Sequence, residues 1–183
     1  MSINLTPVDP HGEDLHALAS FTARNGVPFA PGDHATLPDT RALITAGAFD
    51  APDNALWWLD DDVHARVGLL AVAGVTGEEP SLWLHVEHRH RGRGIGTEAL
   101  RLVIERVFTE HPQAKRLQGR ASEDHRQIRQ ALARCGFVKE AHFRDTWPVA
   151  AGEPGRATVV YAILRRDWES GVTTPVRFDD LGY

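Results

Sequence analysis

The sequence predicts an α/β fold of the α+β kind, with a mixed central sheet of six to seven strands flanked by about four helices. Two observations carry this. Short runs alternate or concentrate apolar residues as strands do, and longer runs repeat them near every 3.6 residues. The order is strand, two helices, three strands, helix, strand, helix, two strands. Strands and helices alternate only in the second half, so parallel and antiparallel pairing must share one sheet. A chain of 183 residues with 42% apolar residues can bury one proper core. We expect a single domain over residues 1–170 and a loosely attached polar tail over 171–183.

Ile3 to Val8 alternates weakly and reads as the first strand. Asp9-Pro10 looks like an N-cap followed by proline at the first helical position. Leu15, Leu18, Ala19 and Thr22 give that helix one face, and Asn25-Gly26 ends it. Val27 to Pro38, with three prolines and Gly32, reads as a loop, and a second helix runs from Pro38 to about Ala48. Ala55 to Leu59 and Ala65 to Val75 read as strands joined by the Asp60-Asp61-Asp62 turn. After a turn at Gly77 to Pro80, Leu82 to Val86 completes this meander. A helix then reaches about Phe108, with Leu100, Val103, Ile104 and Val107 as its apolar stripe. Arg116 to Ala121 is a further strand. Asp124 to Cys135 is helical, because Ile128, Ala131, Leu132 and Cys135 fall at i, i+3, i+4 and i+7, and Gly136 suits the C′ position. Phe137 to Trp147 and Thr158 to Leu164 are two long strands around a turn at Gly152 to Gly155.

Composition narrows the function classes. The net charge of −5 argues against broad attraction to nucleic acid or anionic membrane. No apolar run approaches the roughly 20 residues that span a bilayer, and Met1 to Leu5 lacks the pattern of a signal peptide. Cys135 is the single cysteine, which excludes an intrachain disulfide and fits a cytoplasmic location.

The segment richest in chemistry is Arg91-Gly92-Arg93-Gly94-Ile95-Gly96-Thr97, between a strand and an amphipathic helix. Strand, glycine-rich turn and helix N-terminus together form a place to hold a phosphate. Three ligands compete. A dinucleotide site wants G-x-G-x-x-G after the first strand, with an acidic ribose partner about 20 residues on, and neither is present. A P-loop wants G-K-[ST], and this turn has no lysine. The third candidate is the acetyl-CoA turn [QR]-x-x-G-x-[GA], which Arg91 to Gly96 matches at every fixed position.

With that turn and its flanking strand and helix, the sequence resembles the GNAT acyltransferases. It is most similar to the branch that includes the Rim-type ribosomal-protein N-terminal acetyltransferases. Thr97-Glu98-Ala99, Leu132, Gly136-Phe137, Glu140-Ala141-His142-Phe143-Arg144 and the Tyr161 to Trp168 strand carry the likeness, over about Leu82 to Trp168. The resemblance implies a GNAT fold and acetyl-CoA as cosubstrate. It also implies attack of a primary amine on the thioester in a ternary complex. The acceptor would be a protein N-terminus or a small amine, and the enzyme a monomer or homodimer. The implied cofactor-binding residues are Leu84, His85, Val86, Arg91, Gly92, Arg93, Gly94, Ile95, Gly96, Thr97, His125 and Leu132. His125 stands where the family pattern has asparagine, Ile128 where it often has serine, and Leu132 where many members carry a tyrosine acid. These departures keep open an alternative, a non-catalytic CoA-binding sensor or interaction module.

Glu87 and His85 are the candidate bases, since alternation places them on one side of the strand beside the turn. Their other readings are a solvated glutamate and a hydrogen-bonded strand histidine. Glu140, Asp145 and Tyr161 lie on later strands within possible reach of the same cleft. Arg91 and Arg93 bring charge to the phosphates, while Arg129 and Arg134 read as exposed. His85, His88 and His90 straddle a strand end without a cysteine, so no metal is expected. Cys135 reads as a packed thiol, and Trp57-Trp58 as half core, half surface.

Overall fold

The computed structural model describes residues 2–26, 28, 36–50, 52–149 and 152–177. Its strands are β1 (Ile3–Pro7), β2 (Ala55–Asp61), β3 (Gly68–Ala73), β4 (Ser81–Val86), β5 (Arg116–Ser122), β6 (Val138–Trp147) and β7 (Arg156–Leu164). They make one seven-stranded sheet in the order β1-β2-β3-β4-β5-β7-β6. Among the described residues the helices are α1 (Leu15–Asn25), α2 (Leu37–Thr45), α3 (Ile95–Glu110), α4 (Arg126–Arg134) and α5 (Arg165–Ser170), with a 3₁₀ turn at His88–His90. The mixed α/β architecture expected from the element order is therefore present.

One pairing decides where a ligand can enter. Every neighbouring pair is antiparallel except β4 with β5. That parallel ladder consists only of Ser81 opposite Gln118 and Leu82 opposite Gly119. β5 instead follows β7 along its whole length, from Arg116 opposite Leu164 to Ser122 opposite Thr158. From Trp83 to Val86 the β5 side of β4 has no ladder partner, and the sheet opens there. In open sheets with parallel strands, such a divergence is where ligands bind.

Both sheet faces are covered. Leu70, Val72, Leu82, Leu117 and Leu132 pack with Ala99, Leu100, Val103, Ile104 and Val107 of α3 on one face. Leu18, Ala19 and Phe21 of α1 and Ile44 of α2 pack on Trp58 and Leu69 on the other. Burying each large aliphatic side chain contributes about 1.5–3 kcal/mol, so packing rather than intrinsic propensity holds α3. The two-sided cover corrects the reading of Trp57-Trp58. Both are core residues, 8% and 2% exposed, on opposite faces of β2.

Local chemistry moves several boundaries. Asp9 does not cap α1, because its Oδ1 accepts from the N–H groups of His11 and Gly12 and closes a separate turn. Asp14 takes the position before the helix. Thr36 and Asp39 form a reciprocal capping box at the start of α2. The aspartate turn is longer than expected, since β2 continues to Asp61 and β3 begins only at Gly68. α4 ends as read: the N–H of Gly136, at φ +86°, donates to Ala133 O, and that of Phe137 to Leu132 O. Trp168 lies not on a strand but on α5, a six-residue helix too short to show a period. The start of the tail is held, since buried Asp167 accepts from the Thr174 N–H at 2.9 Å and its hydroxyl at 2.6 Å. The last six tail residues and most of the 27–38 loop lie outside the described residues. Among the described residues, no helix is long and apolar enough to cross a membrane.

Candidate active site

A cavity of about 260 Å³ lies beside the unpaired end of β4, walled by the glycine-rich turn, the start of α3 and α4. β4 contributes Leu84, His85 and Val86. The turn and the first turn of α3 contribute His90, Arg91, Gly92, Gly94, Ile95, Gly96 and Thr97. His125 at the N-cap of α4 contributes, and α4 itself adds Gln127, Ile128, Gln130, Ala131 and Arg134.

The turn is shaped for an anion. Gly94 sits at the N-cap of α3 with φ +84°, and Gly92 has φ +75°, a left-handed backbone that glycine adopts without strain. The first intrahelical bond is Glu98 N–H to Gly94 O at 3.0 Å. The amides of Ile95, Gly96 and Thr97 precede it and so have no acceptor inside the helix. Helix-end positive potential adds to theirs. Gly96 is kept open for a different reason. A Cβ there would lie 3.7 Å from Leu84 Cδ2 and 3.9 Å from Val86 Cγ2, on the cavity wall.

Arg91 does not point freely into solvent. Its Nε donates to Val86 O at 2.9 Å and its Nη2 lies 2.9 Å from His85 Nε2. Guanidinium has only donors, so His85 Nε2 accepts and the ring proton sits on Nδ1. The His85 ring stands edge-on to Phe21, with centroids 5.9 Å apart, and stacks on Trp83 at 5.8 Å. Burial, followed by the charge of Arg91, lowers the His85 pKa to about 4. His125 is lowered also, by burial first and Arg91 second.

This has a measurable consequence. The folded His85 pKa lies below the ordinary 6.5, so between pH 6.5 and 4 the unfolded chain binds more protons. Stability is complete above that window, and on the order of 3 kcal/mol is withdrawn as pH falls through it. Histidine-resolved NMR titration of Arg91→Gln should show His85 titrating higher than in the parent protein. An unchanged midpoint would mean that Arg91 does not act on this ring.

Glu87 and His85 both face α1, as alternation requires. Glu87 Oε1 lies 3.1 Å from Arg24 Nη2, one turn along from Phe21. Glu87 does not line the cavity, and neither does Arg93. Leu132 is fully buried in the core and 3.4 Å from where a Gly119 Cβ would lie, so it is a packing residue, a correction to its reading as a ligand contact. Glu140 pairs with Arg116, and the Tyr161 hydroxyl accepts from Arg129 Nε at 3.1 Å; neither they nor Asp145 line the cavity. Arg129 is thus internal bracing, held also by Glu123 O, rather than an exposed cation. Cys135 is packed as read, its thiol donating to Thr97 O at 3.4 Å while burial raises its pKa. Sequence reasoning missed Gln127, Gln130 and Arg134 as lining residues. Their spacing of i, i+3 and i+7 places them on one helix face, and that spacing was a usable signal.

Residues 3–138 match the acetyltransferase (GNAT) domain family. The chain belongs to this family. It is an N-acetyltransferase, and acetyltransferases of this family use acetyl-CoA. Solved structures agree on the GNAT fold. A chimera of the spermidine N-acetyltransferase SpeG from Vibrio cholerae with hSSAT superposes with a TM-score of 0.76 at 12% identity, covering 92% of this chain and 99% of that one. The spermidine N-acetyltransferase from Vibrio cholerae in complex with CoA and spermine gives 0.75 at 13% identity, covering 91% and 98%. SpeG from the same organism in complex with manganese ions gives 0.74 at 13%, covering 92% and 96%. No curated protein matches this GNAT chain by sequence.

Proposed function

We propose that this chain transfers the acetyl group of acetyl-CoA to the primary amine of a small cationic acceptor, by direct attack in a ternary complex. The observation that carries the reading is the opening of the sheet beyond Leu82, where an unpaired strand edge faces the free amides of a helix N-terminus. In this reading the amides of Ile95, Gly96 and Thr97 receive the pyrophosphate, with Arg91 and Arg134 as nearby cations and Arg93 flanking the turn. The β4 edge at Leu84 to Val86 pairs with the pantetheine arm, and an N–H of that edge stabilises charge on the thioester oxygen. His125 and Gln127 sit where the arm passes α4.

The acceptor approaches from the α1 side, where Glu87 and His85 lie. A protonated amine cannot attack. Glu87, now paired with Arg24, exchanges that cation for the acceptor's ammonium. His85 is neutral at physiological pH, and Arg91 occupies its only free lone pair. When Arg91 turns to the pyrophosphate, Nε2 is released and the charge that lowers its pKa moves away. His85 can then take the amine proton, directly or through a water. The solved neighbours named for spermidine support a polyamine-like acceptor. Thr97-Glu98-Ala99 and Gly136-Phe137 support the Rim-type branch, whose acceptors are protein N-termini. We also read 1–170 as one domain with a short tail, cytoplasmic, as a monomer or homodimer.

The test is release of free CoA from acetyl-CoA against polyamines, amino acids and short peptides. Turnover is expected with polyamines. Glu87→Gln should lower kcat/KM for the amine about 10- to 100-fold while CoA affinity stays within twofold. Turnover with peptide N-termini alone would move the chain to the Rim-type reading. Tight CoA binding without turnover across the panel would establish the sensor alternative.

A further inference from the structure

We propose that Asp61, His64 and His90 form a binding site for a divalent transition metal ion of the zinc class, directly behind the glycine-rich turn. The strongest observation is His90. It is only 4% exposed, and neither ring nitrogen has a hydrogen-bond partner. A neutral imidazole carries one donor and one acceptor. Leaving both unmet in the interior costs a few kcal/mol, and native structures rarely tolerate it. Ligation of a metal by one nitrogen would give that nitrogen the partner it lacks.

The neighbours are suitable ligands. One ligating atom from each of Asp61, His64 and His90 lies within 4.8 Å of the others. The His64 and His90 rings are 5.0 Å apart, edge to face. Asp61 Oδ1 and His64 Nδ1 are separated by 3.3 Å. Zinc bonds of about 2.0–2.1 Å in a tetrahedron place ligand atoms about 3.3 Å apart. The first pair is therefore at ligand spacing already, and His90 must be approached by at most about 1.5 Å. His64 is free to make that movement, because its side chain is 51% exposed. Asp61 is already aimed, since its Oδ1 accepts from the N–H groups of Val63 at 2.8 Å and His64 at 2.6 Å.

Two imidazoles and one carboxylate select a borderline ion such as zinc over magnesium or calcium, which want oxygen alone. Three protein ligands leave a fourth position for water. The acidic run from Asp60 to Asp62 favours a cation, and Arg89 and Arg93 near His90 oppose one. The neutral ring of His90 also borders the proposed CoA cavity. A metal here would clamp the β2–β3 connection to the 3₁₀ turn that leads into the cradle. The sequence gives no expectation of a metal, and the only histidines it offers as a group are His85, His88 and His90. The fold separates those three, and His90 acquires its companions from a loop 26 to 29 residues earlier in the chain.

The experiment is a titration of tag-free, chelator-treated protein with Co²⁺ and then Zn²⁺. We expect one Co²⁺ per chain with the visible absorption of a four-coordinate site, displaced by Zn²⁺, and a rise in Tm with Zn²⁺. His64→Ala, an exposed change that leaves the core intact, should weaken metal affinity at least about 100-fold and abolish the Tm rise. His90→Ala should do the same, and His88→Ala should change neither. Absence of saturable binding at micromolar metal would overturn the proposal. So would binding that survives His64→Ala and His90→Ala unchanged. None of these readouts depends on acetyl transfer, so the site and the proposed reaction stand or fall separately.

Discussion

Gly96→Val is expected to raise the dissociation constant for CoA at least about 100-fold, a loss near 2.7 kcal/mol, in a protein that still folds. The position has an ordinary helical backbone, and a Cβ there meets Leu84 and Val86 only at van der Waals distance. The fold therefore admits a side chain. The cavity does not, because the added carbons occupy the wall against which the ligand must approach the α3 amides. Gly94→Val should weaken binding too, but it is a less clean probe. Its φ of +84° costs an L-residue about 1–2 kcal/mol, so lost binding and lost stability arrive together. Isothermal titration with CoA, alongside circular dichroism and a thermal melt, separates the two effects. Unchanged CoA affinity in Gly96→Val would sink the assignment of this turn.

The largest expected stability effect lies far from the ligand, at Arg165. Its guanidinium donates to Ala114 O, Phe108 O and His111 O, each at 2.7 Å. It also lies 4.9 Å from the centroid of the Phe108 ring. Two of those carbonyls belong to the C-terminal end of α3 and the residue after it, where helix carbonyls lack partners and negative potential collects. Removing the guanidinium strands three acceptors, and charged hydrogen bonds contribute about 1.5–3 kcal/mol each before non-additivity. Arg165→Ala should therefore lower unfolding free energy by about 3–4 kcal/mol in urea denaturation. Arg165→Lys should recover only part, because one ammonium cannot span three carbonyls in a plane. A loss below about 1 kcal/mol would show that water replaces the bridge.

Arg165 also marks a boundary of legibility. In the chain it is the first of two adjacent arginines after a strand, with nothing to separate it from a solvated surface pair. Its partners lie 51 to 57 residues away. Arg129 is similar: helical spacing puts it on a polar face, and only the fold brings Tyr161 beneath it. The α5 helix, at six residues, is shorter than two helical turns and leaves no period to detect.

The sequence by itself determined the mixed α/β class, the order of elements from β1 to β7 and the glycine-rich turn, because each rests on contacts within a few residues. Periodicity is local, and so are the glycines at 92, 94 and 96, whose conformations and lack of Cβ do not depend on distant partners. The tertiary structure alone decided that β4 and β5 part after Leu82, that Arg91 bonds His85, that α4 presents Gln127, Gln130 and Arg134 to the cavity, and that His64 meets His90. Those are meetings between segments far apart in the chain. Their geometry follows from sheet order and packing on both faces, which no short window of residues encodes.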